Sequence, residues 1–258
     1  MSAYEVYAVK YAHHMRRASE NFIGGDPHDG PMPLDYFVWL IRGEGREIVV
    51  DTGFSAAMGR KRGREHIRCP TEGLRLLGTE ASQVKDVVIS HLHYDHVGNF
   101  DLFPAATLHL QDLEMSYATG RHMCEEGNRY AYEVEDVVAV VRRVYLNRVR
   151  FHSGDAELFS GVSLHLIGGH TMGMQAVRVA TRRGWVVLAS DASHFYANME
   201  QARPFPIVWS VPDMVDGYAK LRSLAASPGH IIPGHDPLVM QRYPAPSKAL
   251  EGIAVRLD

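Results

Sequence analysis

The stretch Ser90-His91-Leu92-His93-Tyr94-Asp95-His96-Val97-Gly98-Asn99 directly follows the apolar run Val87-Val88-Ile89. Imidazoles crowded this closely repel one another when protonated, and burying them without partners costs desolvation. A cation bound among them removes both penalties. His91 and His93 stand two apart at the end of a strand, so both can turn toward one ion. Asp95 and His96 begin the next turn and can face a second ion beside the first.

These few residues do not complete two coordination spheres, so the remaining ligands are expected at other strand ends on the same rim. Gly168-Gly169-His170-Thr171 follows the run Val162 to Ile167, and its paired glycines permit close backbone approach. Leu188-Ala189-Ser190-Asp191 ends an apolar run on a carboxylate. That is a poor place for an unpaired charge and a good one for a bridging ligand. Ile231-Ile232-Pro233-Gly234-His235-Asp236 repeats the pattern of strand, glycine and histidine.

Around these motifs, short runs rich in β-branched residues read as strands: Tyr4 to Val9, Tyr36 to Ile41, Glu47 to Val50, Val87 to Ile89, Thr107 to Leu110, Val162 to Ile167, Ala176 to Ala180 and Trp185 to Ala189. Helical patterns fall at about 70–77, 112–119, 133–146 and 211–226. The last carries Val211, Met214, Val215, Tyr218, Leu221 and Leu224 on one stripe. In the third, Val134, Val137, Val138, Val141 and Val144 form a stripe that packs the core, with a cap over the groove or a homodimer contact as alternatives. The mixture predicts an α/β sandwich, one domain over residues 1–258.

Composition narrows the partners. Acids and bases are interspersed and the net charge is -3, so no basic face for nucleic acid is expected. Lys61-Arg62-Gly63-Arg64 reads as a solvated loop. No run approaches the roughly 20 apolar residues of a membrane span. Met1-Ser2-Ala3-Tyr4-Glu5-Val6 lacks the basic start and apolar centre of a leader, which predicts a cytoplasmic protein. Cys69 and Cys124 lie far apart in no CxxC pattern and are expected to be free thiols. Residues 13–33 have no periodicity and read as a long lid or binding loop.

The string HLHYDH, followed by the isolated His170, Asp191 and His235, resembles the metallo-β-lactamase superfamily, from Asp51-Thr52-Gly53 to His235. The resemblance implies a four-layer αβ/βα sandwich of two similar halves with two metals in the groove between them. It implies that His91, His93 and His170 bind one metal, that Asp95, His96 and His235 bind the other, and that Asp191 bridges. Asp51 matches the family's carboxylate that steadies a ligand. Two divalent ions are implied, and the nitrogen and oxygen donors suit zinc, with manganese, cobalt or iron as alternatives.

Within the superfamily, His at both HxHxDH positions departs from the diiron flavoprotein branch, which usually carries Glu at the second. Pro233-Gly234-His235-Asp236 and Asp191-Ala192-Ser193 are most similar to N-acyl homoserine lactone hydrolases, the quorum-quenching lactonases. That resemblance implies ring opening of a small-molecule lactone by a hydroxide shared between the metals, with Asp95 or Asp191 shuttling the proton. Such lactonases usually place Tyr three residues after the bridging aspartate. Here His194 stands there and Tyr196 follows, and either is expected to polarise the substrate carbonyl. Met172 and Met174 stand where the branch often has proline and histidine. With Met15, Phe22, Ile23, Phe195 and the segment 203–209, Met172 is a candidate for an apolar entrance. The alternative activity is hydrolysis of another ester, thioester or amide, as in glyoxalase II-like or β-lactamase-like members. An inactive metal-binding scaffold is disfavoured by the complete ligand set.

Overall fold

The computed structural model describes residues 3–258; Met1 and Ser2, the start of the segment read above for a leader, lie outside them. Alternation along the strands sorts side chains into two cores. On Glu5–His14, Val6 and Ala8 join the cluster shared by two sheets, whereas Tyr7, Val9 and Tyr11 face the other side. Leu34–Gly43 repeats the split, Phe37, Trp39 and Ile41 against Tyr36, Val38 and Leu40. The first sheet has eight strands along the path Ala254–Arg256, Glu5–His14, Leu34–Gly43, Arg46–Val50, Asp86–Val88, Thr107–Gln111 and Val149–His152, with Glu65–His66 paired to Glu5–His14. The second has five, in the order Ile231–Pro233, Gly184–Ser190, Gln175–Thr181, Val162–Leu166 and Ala156–Phe159.

Helices close the outer faces. Leu74 of Pro70–Leu76 and Val137 and Val140 of Val134–Tyr145 pack with the outward side chains of the first sheet. Val211–Leu224 covers the second sheet through Met214, Tyr218 and Leu221, and Ser210 caps it by accepting from Asp213 N. The result is the expected four-layer αβ/βα sandwich. Among the described residues no helix is long and apolar enough to cross a membrane.

Several local expectations need correction. Val211 and Val215 are exposed, because the helix turns the face bearing Gly217 inward beside Met214 and Tyr218. In the valine stripe, three- and four-residue spacing from Val137 leads through Val140, and Val134 borders an open cavity. Residues 13–33 are not one loop. The first strand runs on to His14, and Arg17 bridges Pro31 beyond it. The Asn21 side chain bonds Met32 O, closing the excursion on itself. Met174 is a fully buried core residue.

Candidate metal centre

Strand direction gathers the ligands. Arg46–Val50 and Asp86–Val88 pair in parallel, so Asp51 and the Ser90-His91 turn leave the same edge. In the second sheet Ile231–Pro233 runs parallel to Gly184–Ser190. Val162–Leu166 points the same way, two antiparallel pairings removed. The segments bearing His170, Asp191 and His235 therefore emerge on one rim. The rims are tied by Gln175 N donating to Ser90 O and Asp35 N to His235 O. Two glycines make the close approach possible. A Cβ on Gly169 (φ +83°) would lie 2.6 Å from the Met214 backbone, and one on Gly234 would lie 2.7 Å from Asp191 Oδ1.

His91, His93, His170 and Asp191 each present one ligand atom within 4.8 Å of the others, and Asp95, His96 and His235 form a second such group. Asp191 faces both. Its Oδ2 lies 3.2 Å from His170 Nε2 and 3.9 Å from His91 Nε2. Its Oδ1 lies 2.9 Å from His235 Nε2 and 3.3 Å from His96 Nε2. All seven side chains are buried. The structure brings all seven of these side chains together.

Neighbouring groups aim the imidazoles. His170 Nδ1 donates to Ile207 O at 2.7 Å and His235 Nδ1 to Asp35 O at 2.9 Å. Carbonyls only accept, so each Nδ1 holds a hydrogen, and in the neutral imidazole each Nε2 offers its lone pair to the centre. His96 Nδ1 meets Asp51 Oδ2 at 2.8 Å. Asp51, in the left-handed region at φ +59°, also accepts from Ser90 N, Ser90 Oγ and Ser190 Oγ, as the steadying role required.

The donors fit cations. His91 Nε2, His96 Nε2 and Asp191 Oδ1 are buried without a hydrogen-bond partner, a costly state that coordination relieves. Burial and the imidazoles of His96, His93 and His170 drive the His91 pKa far down, keeping it an unprotonated donor. Burial opposes charge on Asp191, yet His194, His235 and His96 outweigh it and hold the carboxyl well below its usual range.

His194 and Tyr196 separate. His194 lines the cleft over the cluster, with Nε2 3.1 Å from Asp191 Oδ2. Tyr196 does not line it. Its ring lies in the core of the second sheet with the Arg242 guanidinium 3.9 Å above it, because the helix Tyr196–Glu200 begins there and turns the side chain inward. The predicted entrance is also revised. Phe205 and Ile207 line the cleft, joined by Leu34, Tyr36 and Tyr130. Met15 and Ile23 are exposed, Phe22 packs under Arg203, and Phe195 is buried, so none of these forms the wall.

Sequence reasoning missed Glu114. This buried carboxylate accepts from Leu92 N at 2.9 Å, Tyr132 OH at 2.8 Å, Thr171 Oγ1 at 2.5 Å and Gly173 N at 3.2 Å. It joins the His91–His93 turn to the turn of His170. Nothing in the pattern Asp112-Leu113-Glu114 marks it as different from a solvated first-turn acid.

The family model of the metallo-beta-lactamase superfamily matches residues 32–240. Two curated relatives are each named N-acyl homoserine lactonase AttM. The one from Azorhizobium caulinodans is 32% identical over 67% of this chain and 66% of its own. The one from Rhizobium johnstonii is 28% identical over 66% and 65%. The chain thus spans just under two thirds of the length of these relatives. Among solved structures, a quorum-quenching N-acyl homoserine lactone lactonase superposes with a TM-score of 0.76 at 23% identity, covering 92% of this chain and 94% of that one.

Proposed function

The chain belongs to the metallo-beta-lactamase superfamily, and on that footing we propose that it is a dinuclear metal-dependent hydrolase, a lactonase acting on an N-acyl homoserine lactone or a related lactone. The observation that carries this reading is Asp191, which turns one carboxylate oxygen to each histidine group. His91, His93 and His170 would hold one cation, Asp95, His96 and His235 the other, with Asp191 between them. Imidazole and carboxylate donors suit zinc.

Two such cations supply a Lewis acid for the carbonyl and a water that ionises near neutral pH. The protein's own groups do the rest. On this reading the His194 imidazole, which lines the cleft beside Asp191, turns its Nε2–H from Asp191 to the carbonyl oxygen of the substrate. Asp95 directs Oδ2 toward His96 Nε2 at 3.5 Å and His235 Nε2 at 3.7 Å. Its Oδ1 is left to carry the proton to the leaving alkoxide, which in a lactone stays tethered as the product hydroxyl. Tyr36, Phe205 and Ile207 give the cleft an apolar wall beside the ring. The reading places one domain in the cytoplasm, supported by the unpaired Cys69 and Cys124.

The test is elemental analysis together with a pH-indicator screen of lactones, thioesters and β-lactams, native protein against Asp191→Asn. Two metals per chain, lactone turnover and its loss in the variant are expected. Acid release from thioesters alone would move the assignment to a thioesterase, and fewer than two metals in active protein would remove the dinuclear centre.

A further inference from the structure

Arg16 and Arg64 line the same cleft as His93, Asp95, His170 and Asp191, and the hydrolase reading gives them no task. Their sequence neighbours are neutralised: Arg17 pairs with Asp29 and Arg62 with Glu133. Arg16 and Arg64 are half-buried and pair with no carboxylate among the described residues.

Both are nevertheless held in place, by neutral groups. Arg16 Nε donates to Asn21 Oδ1 at 2.7 Å and its Nη2 to Glu20 O at 2.5 Å. Arg64 Nε donates to Tyr94 OH at 3.2 Å, and its Nη1 to Arg62 O at 2.7 Å and His14 Nε2 at 3.1 Å. Burial and the two neighbouring guanidiniums lower the His14 pKa to about 4, so this acceptor adds no charge. The Glu20 carboxylate turns to Arg17 N. Asp95 is engaged with His96 and His235. Arg16 Nη1 and Arg64 Nη2 remain without an acceptor among the described residues. Two fixed guanidiniums that bond no carboxylate, each with one amino group still free, make a preorganised anion site on the wall of a reaction cleft, and the two free groups match the two oxygens of a carboxylate.

We propose that the substrate is a related lactone or ester rather than a neutral N-acyl homoserine lactone: it carries a carboxylate, seated on Arg16 and Arg64 while its lactone or ester carbonyl faces the histidine–aspartate cluster. The proposal rests on the hydrolase reading for the second half of that statement only.

The test uses the metal-loaded protein and two matched pairs of compounds. A γ-lactone bearing a ring carboxylate is compared with its carboxamide by kcat/KM. The non-hydrolysable tetrahydrofuran carboxylate is compared with its carboxamide by calorimetric Kd. Charge-assisted hydrogen bonds predict a preference for the carboxylate of about tenfold or more in both pairs. Arg16→Gln and Arg64→Gln should each shrink that ratio severalfold. If Arg64→Gln lowers Tm sharply, Arg64→Lys, which keeps the charge but loses the fork, should give an intermediate ratio. A preference that survives both substitutions puts the carboxylate on the metals and overturns the proposal, as does equal binding and turnover of charged and neutral compounds. Charge-dependent binding lost in the arginine variants, with neither lactone turned over, would support the anion site and reject the lactonase instead.

Discussion

The His194 imidazole lies flat on the Phe205 ring, centroids 3.7 Å apart and planes inclined by 6°. This stack and the 3.1 Å approach of Nε2 to Asp191 Oδ2 together orient the imidazole, since His194 Nδ1 is buried and unpartnered. His194 lies close enough to Asp191 and His235 to form a candidate ligand trio with them, and the assigned role requires that it serve the carbonyl instead. His194→Ala should lower kcat by about 100-fold while elemental analysis still finds the native metal content. Tyr196→Phe, altered in the core away from the cleft, should leave turnover unchanged. Loss of metal in the His194 variant would make it a ligand and cancel its assigned role.

Asp51 controls how His96 faces the centre. Removing its carboxylate frees His96 Nδ1 and deprives Ser90 and Ser190 of their acceptor. Asp51→Asn is the cleaner change, because asparagine tolerates the left-handed backbone that alanine would strain. Metal affinity should fall by about 10–100-fold, read by competition with a chromogenic chelator. An unchanged affinity would mean that His96 is aimed by its backbone alone.

Asp136 should make the fold respond to pH. Its Oδ2 is buried without a partner. Burial first, then the charges of Glu133 and Asp101, raise its pKa to about 6 from an ordinary 3.8. The raised value means that the protonated form is favoured on folding. Its stabilising contribution is complete below the ordinary value and lost as pH rises through about 6. Asp136→Asn, which mimics the protonated acid, should therefore stabilise the protein at about pH 8 and change little at about pH 4. Partial exposure, and the first-turn position that favours a negative charge at a helix N-terminus, reduce the gain to about 1 kcal/mol. Urea midpoints at the two pH values decide it, and an equal shift at both would reject the titration.

The candidate metal ligands are legible in the sequence because each group of them follows an apolar strand, and a buried charge at a strand end demands a partner. His91, Asp191 and His235 announce themselves in this way even though 144 positions separate the first from the last (235 − 91). Strands with period-two alternation were legible for the same reason. Ala254–Arg256 and Ala156–Phe159 were not: three or four residues with mixed polarity carry too little periodicity, and pairing with a neighbouring strand makes them. Tyr196 was misplaced because two residues of spacing from His194 say nothing about where a new helix turns its side chains. Arg16 and Arg64 read as loop charges, since the lack of an acidic partner is a fact of tertiary structure.

Glu114 illustrates the same limit and carries a sharp expectation. Its one carboxylate serves four donors, two on the turn after His170, one between His91 and His93, and one on Tyr132, whose ring stacks edge-on against His93 at 4.6 Å. Glu114→Ala leaves those donors buried without an acceptor, which at roughly 1 kcal/mol or more apiece predicts a loss on the order of 4 kcal/mol. Glu114→Gln keeps an acceptor oxygen but turns an amide donor toward two of them, so it should fall between the two. Both variants should lose metal at the His91, His93 and His170 group before the other, because only that group hangs on the braced turns. Cobalt substitution followed by visible absorption distinguishes the two occupancies. Equal loss from both groups would mean that Glu114 supports the fold at large and leaves the spacing of these three histidines to the strands.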